Sequence, residues 1–210
     1  MKKLLAFDLD GTLVDSRHDI AASANAALEA VGLPRRPADE IVRFVGGGAR
    51  NLVARSVEPH IEKLEAALEA WHRHYSAHLL DTTRPYPGIA ALLDELAPRF
   101  LLAVATNKPG RYARTICEAL FPGRFVQVIG GDEGPRKPDP ALLDRIAAAQ
   151  GMPIAAYVGD MPIDRQTAAA YGCRFVGVTW GFGSFDAACP VAGDAAALRD
   201  LLAEGYMGRP

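Results

Sequence analysis

The chain has 210 residues, half of them hydrophobic and 23% charged, with a mean hydropathy of +0.03. This length suffices for one sizeable α/β core, or for a core that carries a smaller inserted domain. A formal net charge of −2 and a pI near 6.2 argue against broad binding to nucleic acids or anionic membranes, so any affinity for an anionic ligand must be local.

The cysteines and the first residues bear on the cellular compartment. Cys117, Cys173 and Cys189 are odd in number and form no CxxC pair, so we expect neither a disulfide framework nor a structural zinc site. The chain begins with a strand-like run that carries Asp8 and Asp10, which is unlike a signal peptide. No stretch is long and apolar enough to span a bilayer. We therefore expect a cytoplasmic protein.

Short apolar runs alternate with Ala- and Leu-rich stretches of helical length along most of the chain. The predicted strands are Leu4–Leu9, Leu101–Ala105, Phe125–Ile129, Tyr157–Val158 and Phe175–Val178. The predicted core helices are Ile89–Leu96, Gly110–Leu120, Ala141–Gln150 and Ile163–Tyr171. This alternation is typical of βαβ units and predicts the α/β class, with a Rossmann-like, doubly wound parallel sheet. Right-handed crossovers then place the carboxyl ends of the strands along one edge, where such sheets bind ligands.

Residues 16–83 break the alternation, because their pattern is helical throughout. The helices predicted there are His18–Val31, Asp39–Val45, Ala49–Val57 and Ile61–Leu80. We therefore predict two domains, a catalytic core of residues 1–15 and 84–210 and a helical cap of residues 16–83. A helical insertion after the first strand is expected to act as a lid above that strand's carboxyl end. Residues 204–210 are expected to form a loose tail.

Four segments with reactive side chains follow predicted strands. In the first, Asp8 and Asp10 are two residues apart at the end of a hydrophobic strand, so their side chains are expected on the same side. Two like charges there require a cation or a shared proton. Gly11 allows a sharp turn that leaves backbone N–H groups uncovered for an anion. An ordinary turn is the alternative for this segment taken alone.

The second and third segments supply groups for a phosphate. Thr106 or Asn107 can cap the helix that follows the second core strand, and a helix N-terminus is a ready anion site. The prolines of Arg136–Pro140 are expected to hold Lys137 at the exit of its loop, where its ammonium group offers a compact positive charge. A plain helix cap and a solvated lysine are the ordinary alternatives.

The fourth segment, Val158–Asp164, places Asp160 and Asp164 across the start of a helix. Two more acids near the first pair would require a cation, and ligands that are all oxygen indicate Mg²⁺ rather than zinc. A carboxylate is ionised at neutral pH, since the reference pKa is about 3.9, and it can attack phosphorus without a separate base. The four segments together predict one metal–phosphate site.

These segments resemble the four motifs of the haloacid dehalogenase superfamily of phosphotransferases. The matching runs are DLDGTLVDS at 8–16, TNKP at 106–109, RKPDP at 136–140 and GDMPID at 159–164. Four further runs, GARNLVARSV, TRPYPGI, VIGGDE and GVTWGFG, are similar to those of bacterial phosphoglycolate phosphatases. The resemblance implies an α/β core with a helical cap.

The resemblance also implies roles for individual residues. Asp8 would be the nucleophile that becomes an aspartyl-phosphate, and Asp10 would protonate the leaving group and then activate water. Thr106 and Lys137 would hold the phosphoryl oxygens with help from Asn107. The residues implied in Mg²⁺ binding are Asp8, Asp10 through its backbone carbonyl, Asp160, and Asp164 directly or through water.

A glycine-rich turn in the helical interval is a candidate for substrate selection. The run Gly46–Gly48 opens a predicted helix, so the N–H of Gly47 and the guanidinium of Arg50 could bind a second anionic group such as a carboxylate. A simple hinge with solvated arginines is the alternative.

The sequence thus predicts a Mg²⁺-dependent phosphatase that acts on a small phosphorylated metabolite as a monomer or homodimer. The expected reaction converts 2-phosphoglycolate to glycolate and phosphate. A sugar-phosphate phosphatase or phosphomutase of the same superfamily is the nearest alternative. A phosphoacceptor receiver domain, which also clusters aspartates, Thr and Lys on a parallel sheet, is the alternative from a different class.

Overall fold

The computed structural model describes residues 2–185 and 189–204. The expected tail therefore lies outside the described residues, except for Glu204. The chain divides into two compact units. One comprises Met1–Val14 with Pro85–Pro210, and the other comprises Asp15–Arg84.

A six-stranded sheet forms the centre of the first unit. In chain order the strands of the protein are β1 (Lys3–Phe7), β2 (Val14–Asp15), β3 (Arg84–Pro85), β4 (Phe100–Ala105), β5 (Gln127–Ile129), β6 (Ile154–Gly159), β7 (Arg174–Val178) and β8 (Val191–Ala192). The order in the sheet is β5-β4-β1-β6-β7-β8, with parallel pairing throughout. A separate two-stranded sheet joins β2 and β3. The predicted α/β class with a parallel sheet is confirmed.

Helices occupy most of the intervals between these strands. They are α1 (Arg17–Ala30), α2 (Ala38–Val42), α3 (Ala49–Val57), α4 (Leu64–His78), α5 (Ile89–Leu96), α6 (Gly110–Leu120), α7 (Ala141–Gln150), α8 (Pro162–Tyr171) and α9 (Ala195–Glu204), with a 3₁₀ turn at Ile61–Lys63. The sequence pattern did not predict α9 or the strand β8. Within the described residues, no helix combines the length and the apolar character that crossing a bilayer requires.

Burial of β1 on both faces explains why the central strands read as continuous apolar runs. Leu4 and Ala6 pack in a cluster with the α7 side chain of Leu142, whereas Leu5 and Phe7 alternate to the opposite face. These four side chains are fully buried, whereas Lys3 at the start of β1 is exposed. The sheet is thus covered on both sides, as expected of a doubly wound fold.

The predicted first strand, Leu4–Leu9, is too long. β1 ends at Phe7, although the Asp8 N–H still donates to the Val158 carbonyl at 2.8 Å. The chain then turns, because the Leu9 carbonyl accepts from the Leu13 N–H at 2.9 Å. Asp10 therefore lies in a turn and not on a strand, and the strand geometry that the sequence pattern suggested for the acid pair does not apply.

The second unit is helical, with α1 and α4 in extensive contact. Trp71 and Tyr75 of α4 are buried and stack with ring centroids 4.6 Å apart. The predicted helix Ile61–Leu80 is divided, since its first three residues form the 3₁₀ turn and α4 ends at His78. The action of this unit as a lid stays a prediction.

A buried carboxylate ties the start of α1 to the end of this unit. Asp19, 3% exposed, accepts hydrogen bonds from the backbone N–H groups of Thr82 and Thr83 at 3.0 and 2.8 Å. The hydroxyl groups of both threonines also donate to it, at 2.5 and 2.7 Å. Burial alone would raise the pKa of Asp19, but these hydrogen bonds outweigh it, and the pKa is lowered.

We expect Asp19→Ala to reduce the free energy of unfolding by about 2–4 kcal/mol near pH 7, because hydrogen bonds to charged groups contribute about 1.5–3 kcal/mol and buried donors lose their partner. A depressed carboxyl pKa stabilises the fold above the unfolded-state pKa, and this contribution is lost as the pH falls through the folded-state pKa. Urea unfolding at several pH values checks this, with Asp39→Ala as the control, since Asp39 pairs with Arg43 on the surface. A cost that stays constant down to about pH 3 would contradict the prediction.

Candidate active site

The carboxyl ends of adjacent strands bring the predicted site residues together within the first unit. β1 lies between β4 and β6 in the sheet. Asp8 follows β1, Thr106 follows β4 and Asp160 follows β6, one residue beyond each strand end. Lys137 reaches the same group from the loop between β5 and α7, where its peptide bond to Pro138 is cis.

Three of the four predicted acids form one compact cluster. Asp8, Asp160 and Asp164 each present a carboxylate oxygen within 4.8 Å of the others. All three are buried, with Asp160 and Asp164 fully so. The Asp164 carboxylate is also fixed from behind, since it accepts the Met161 N–H at 3.0 Å in a capping arrangement at the start of α8.

Lys137 lies between two of these acids. Its Nζ lies 2.8 Å from Asp8 Oδ1 and donates to Asp164 Oδ1 at 2.7 Å. The Lys137 backbone is clamped by Asn107, whose Oδ1 accepts the Lys137 N–H at 2.9 Å and whose Nδ2 donates to the Lys137 carbonyl at 3.3 Å. Tyr157 adds a hydroxyl group that lies 3.2 Å from Nζ and donates to the Ala105 carbonyl at 2.7 Å.

Asp10 stands apart from the cluster and is held by a different lysine. Lys108 Nζ donates to both carboxylate oxygens of Asp10 at 2.8 Å. The two side chains are only 4% and 10% exposed. The buried acids and lysines of the site are therefore arranged as two separate groups.

A loop after β7 determines the orientation of Asp160. The Phe182 N–H donates to Asp160 Oδ2 at 2.7 Å, and the Thr12 hydroxyl group donates to Oδ1 at 3.1 Å. Trp180 Nε1 donates to the Thr12 carbonyl at 3.1 Å. Gly181 is required for this approach, because a Cβ atom there would lie 2.4 Å from the Asp160 Cβ.

The predicted capping of α6 by Thr106 or Asn107 is wrong. α6 begins at Gly110, and the Gly110 N–H donates to Asp132 Oδ1 at 2.7 Å. Asp132 comes from the loop that follows β5, so this contact depends on the tertiary structure. The Thr106 hydroxyl oxygen instead accepts the Lys108 N–H at 3.3 Å. At α7, Asp139 Oδ1 accepts the first helical N–H, that of Ala141, at 2.9 Å.

Burial and like charges raise the pKa values of two acids of the cluster, Asp8 and Asp160. Burial, together with the charges of Asp164 and Asp8, raises the pKa of Asp160 to about 8. Burial raises the pKa of Asp8 to about 6, against the lowering effect of Lys137. The pKa of Lys137 is itself raised, since Asp164 and Asp8 outweigh the burial that disfavours its charge.

The donor set fits a hard divalent cation. With all four acids ionised, the two lysines leave two negative charges uncompensated in a buried site. Oxygen atoms of three buried carboxylates are the ligand type that Mg²⁺ or Ca²⁺ prefers, and no cysteine or histidine belongs to the cluster of Asp8, Asp160 and Asp164.

Gly47 and Arg50 belong to the second unit, where Arg50 pairs with Glu65 and Gly47 lies against the Asn51 side chain. Arg50, in the first turn of α3, donates to Glu65 through both terminal nitrogens, one of them at 3.1 Å. Both side chains are at least half exposed. A Cβ atom at Gly47 would lie 2.3 Å from Asn51 Nδ2. Their role in binding a substrate stays a prediction.

Sequence reasoning named neither Lys108 nor Tyr157 as a site residue. Lys108 lies within the TNKP run, directly after Asn107, so its position after β4 was the available signal. Tyr157 falls inside a predicted strand, where its hydroxyl group gave no indication of the lysine that it contacts. Thr12 was part of a matched motif, but nothing in its spacing indicated the bond to Asp160.

Comparison with known proteins places this geometry in a family context. The family model of the haloacid dehalogenase-like hydrolases matches residues 5–178. A phosphoglycolate phosphatase from Neisseria meningitidis serogroup A is 39% identical over 193 residues, which cover 85% of this chain and 81% of that protein.

Solved structures of similar fold cover nearly the whole chain. A crystal structure described as a predicted phosphoglycolate phosphatase, from Haemophilus somnus 129pt, has a TM-score of 0.86 at 30% identity and covers 96% of this chain and 98% of that one. The protein tyrosine kinase A of Mycobacterium tuberculosis, also 30% identical, has a TM-score of 0.82 with the same coverage.

We expect Asp160→Asn to stabilise the protein in EDTA at about pH 9 by at least ~1 kcal/mol, a rise of roughly 2–4 °C in the melting temperature. The pKa of Asp160 in the folded protein is raised to about 8, whereas its pKa in the unfolded chain is about 3.9. Ionisation of Asp160 therefore destabilises the metal-free fold as the pH rises between these two values. The gain should therefore be smaller near pH 5.

Thermal unfolding of the wild type and of Asp160→Asn at about pH 5 and pH 9 measures this effect, because the linkage predicts a larger gain in stability at the higher pH. The asparagine Oδ1 can accept the Phe182 N–H and its Nδ2 can donate to the Thr12 hydroxyl oxygen, so lost contacts should contribute little. Asp144→Asn, on the exposed side of α7, serves as the control. Equal destabilisation of Asp160→Asn at both pH values would contradict the prediction.

Proposed function

The chain belongs to the haloacid dehalogenase-like hydrolases, and from that membership we propose that it is a Mg²⁺-dependent phosphatase of small phosphomonoesters. The observation that carries the proposal is the convergence of Asp8, Asp160 and Asp164 within 4.8 Å, with Lys137 between two of them. 2-Phosphoglycolate is the proposed substrate, because relatives at 34–39% identity bear the name phosphoglycolate phosphatase.

We assign the first half of the reaction to Asp8 and Asp10. A carboxylate oxygen of Asp8 attacks phosphorus, the ester P–O bond breaks, and its electron pair goes to the leaving oxygen, which takes a proton from Asp10. The product of this half is an aspartyl-phosphate on Asp8 and free glycolate. Asp8 suits the role because its backbone is anchored to β6 through the Val158 carbonyl, which fixes the direction of attack.

In the second half, water attacks the phosphorus of the aspartyl-phosphate. The carboxylate of Asp10 takes one proton of that water, the bond between phosphorus and Asp8 breaks, and its electron pair returns to the Asp8 carboxylate. Phosphate leaves and both acids regain their initial states. Asp10 is suited to proton transfer because it is the acid that stays outside the cluster of the other three.

Lys137 and Thr106 are proposed to hold the transferring phosphoryl group. The Lys137 ammonium group can share its hydrogen bonds with phosphoryl oxygens where charge accumulates in the transition state. The Thr106 hydroxyl oxygen accepts the Lys108 N–H, which leaves its proton for a phosphoryl oxygen. Both polar atoms of the Asn107 amide bind the Lys137 backbone, so we propose that Asn107 acts by positioning Lys137.

The acidic cluster is proposed to hold the cation. Asp8, Asp160 and Asp164 would contribute carboxylate oxygens, with the backbone carbonyl of Asp10 as a further donor. When bound, Mg²⁺ supplies positive charge that neutralises the phosphoryl oxygens and the buried acids. The hydrogen bonds from Thr12 and Phe182 hold Asp160 ready for this role.

A different acceptor for the phosphoryl group would give the protein a different function. A phosphomutase would pass the group to a substrate hydroxyl, and one structural relative bears the name of a protein tyrosine kinase. A receiver domain, the alternative from a different class, is disfavoured because its acceptor aspartate follows a later strand and it has no helical insertion.

The free cysteines are consistent with the proposed cytoplasmic location.

We expect the wild type to release inorganic phosphate from 2-phosphoglycolate when Mg²⁺ is present, and EDTA to abolish this release. Asp8→Asn should reduce kcat by at least ~10³-fold, because it removes the nucleophile. Phosphate is measured colorimetrically across a panel of phosphorylated acids and sugars. Asp39→Asn, on the surface of the second unit, is the control. Conversion of a substrate to an isomer without phosphate release would favour a mutase.

We expect Arg50→Ala to reduce kcat/KM for 2-phosphoglycolate by about 10-fold or more and to leave p-nitrophenyl phosphate nearly unaffected, if Arg50 binds the substrate carboxylate. Glu65→Ala is the matched variant, since it removes the partner of Arg50 in the second unit but keeps the guanidinium group. Steady-state kinetics on both substrates check the prediction. Equal losses on the two substrates would contradict a role in selection.

A further inference from the structure

The pair formed by Lys108 and Asp10 is the part of the site that the motifs did not anticipate. The Lys108 ammonium group is 2.8 Å from each oxygen of the Asp10 carboxylate, and both side chains are almost completely buried. Burying two charges is costly unless they are paired with good geometry. The fold therefore holds this pair in a defined arrangement at the reaction edge of the sheet.

The backbone of Lys108 is fixed on both sides. Its N–H donates to the Thr106 hydroxyl oxygen at 3.3 Å, and its carbonyl accepts the Gly131 N–H at 3.0 Å. A Cβ atom at Gly130 would lie 2.7 Å from that carbonyl oxygen, so the loop after β5 packs directly against it. These contacts limit the positions that the ammonium group can reach.

The two buried lysines contact three of the four acids between them. Lys137 contacts Asp8 and Asp164, which belong to the cluster suited to a cation. Lys108 binds Asp10, which does not belong to that cluster. An acid needed for proton transfer has to keep its carboxylate oxygens off the metal, and an opposing ammonium group provides an alternative partner for them.

We propose that Lys108 is a positioning residue that holds the Asp10 carboxylate as the proton acceptor for hydrolysis of the aspartyl-phosphate. This inference rests on the proposed function. An ionised carboxylate has about four lone-pair sites, so Asp10 can bind Lys108 with both oxygens and still accept a water proton. In this step the water oxygen bonds to phosphorus, Asp10 takes the proton, and the electron pair of the broken P–O bond returns to Asp8.

The test separates formation of the aspartyl-phosphate from its hydrolysis. p-Nitrophenyl phosphate has a good leaving group, so the first step needs little proton transfer from Asp10. With Mg²⁺ present, we expect Lys108→Met to keep the rate of the first turnover and to slow the following steady state by about 10- to 100-fold. This loss is part of the contribution of general base catalysis, which is about 10²–10⁴-fold. Stopped-flow traces should show a burst near one nitrophenol per enzyme.

Matched variants make the result specific. Lys2→Met removes an exposed lysine of the same unit, which donates to the Ala97 carbonyl, and should behave as the wild type. Asp10→Asn should give the same burst, and adding Lys108→Met to it should cause little further loss, because both changes affect one step. Lys108→Gln carries the same test if the Met variant shows no cooperative thermal transition.

Two outcomes would overturn the inference. One is a Lys108→Met variant with wild-type turnover, and the other is an equal slowing of the first turnover and the steady state without a burst. Both leave the proposed function intact as long as the wild type releases phosphate and Asp8→Asn does not. A wild type that releases no phosphate from any substrate of the panel contradicts the proposed function instead.

Discussion

Four buried carboxylates meet two buried lysines at the carboxyl edge of one parallel sheet, and the surrounding structure serves to hold these charges in place. An ionised group inside a protein is stable only when it is paired or bound to a metal. Lys137 compensates part of the charge of Asp8 and Asp164, and Lys108 compensates Asp10. Asp160 accepts hydrogen bonds from a hydroxyl group and a backbone N–H, and a bound cation would compensate its charge.

Close packing of the backbone makes this density of charge possible. Gly159 ends β6 at a position where a Cβ atom would lie 2.4 Å from the Asp164 Cγ, and Gly181 allows the loop after β7 to reach Asp160. The carboxylates are thus brought together by residues that have no chemistry of their own. Burial and the charges of Asp164 and Asp8 raise the pKa of Asp160, and shifted pKa values are a common feature of functional sites.

The same fold is compatible with several fates for a phosphoryl group, as the names of its structural relatives illustrate. What distinguishes hydrolysis from transfer to another hydroxyl group is the residue that handles protons at the phosphorus and the access of water to it. In this chain Asp10, the acid that we propose for this role, is paired with Lys108. The second unit is compact and held at its ends by Asp19, and its helices carry the residues that we associate with substrate selection.

The sequence by itself determined the fold class, the family and the identity of the acids. Alternating apolar and helical runs are local patterns, and a parallel sheet requires that strand ends share one edge, so Asp8 and Asp160 could be placed together without coordinates. The limits of the first strand were wrong, because the turn at Leu9 depends on hydrogen bonds that the apolar pattern does not reveal.

Only the tertiary structure decided which lysine pairs with which acid. Lys108 and Asp10 are 98 residues apart, and the partner of a buried ammonium group depends on the directions of two loops from different strands. The N-terminus of α6 also depends on the tertiary structure, because its first N–H, that of Gly110, donates to Asp132 and not to the nearby Thr106 or Asn107. Motifs specify chemical groups in order along the chain, whereas pairing of charges depends on distances of a few ångströms that arise after the sheet has assembled.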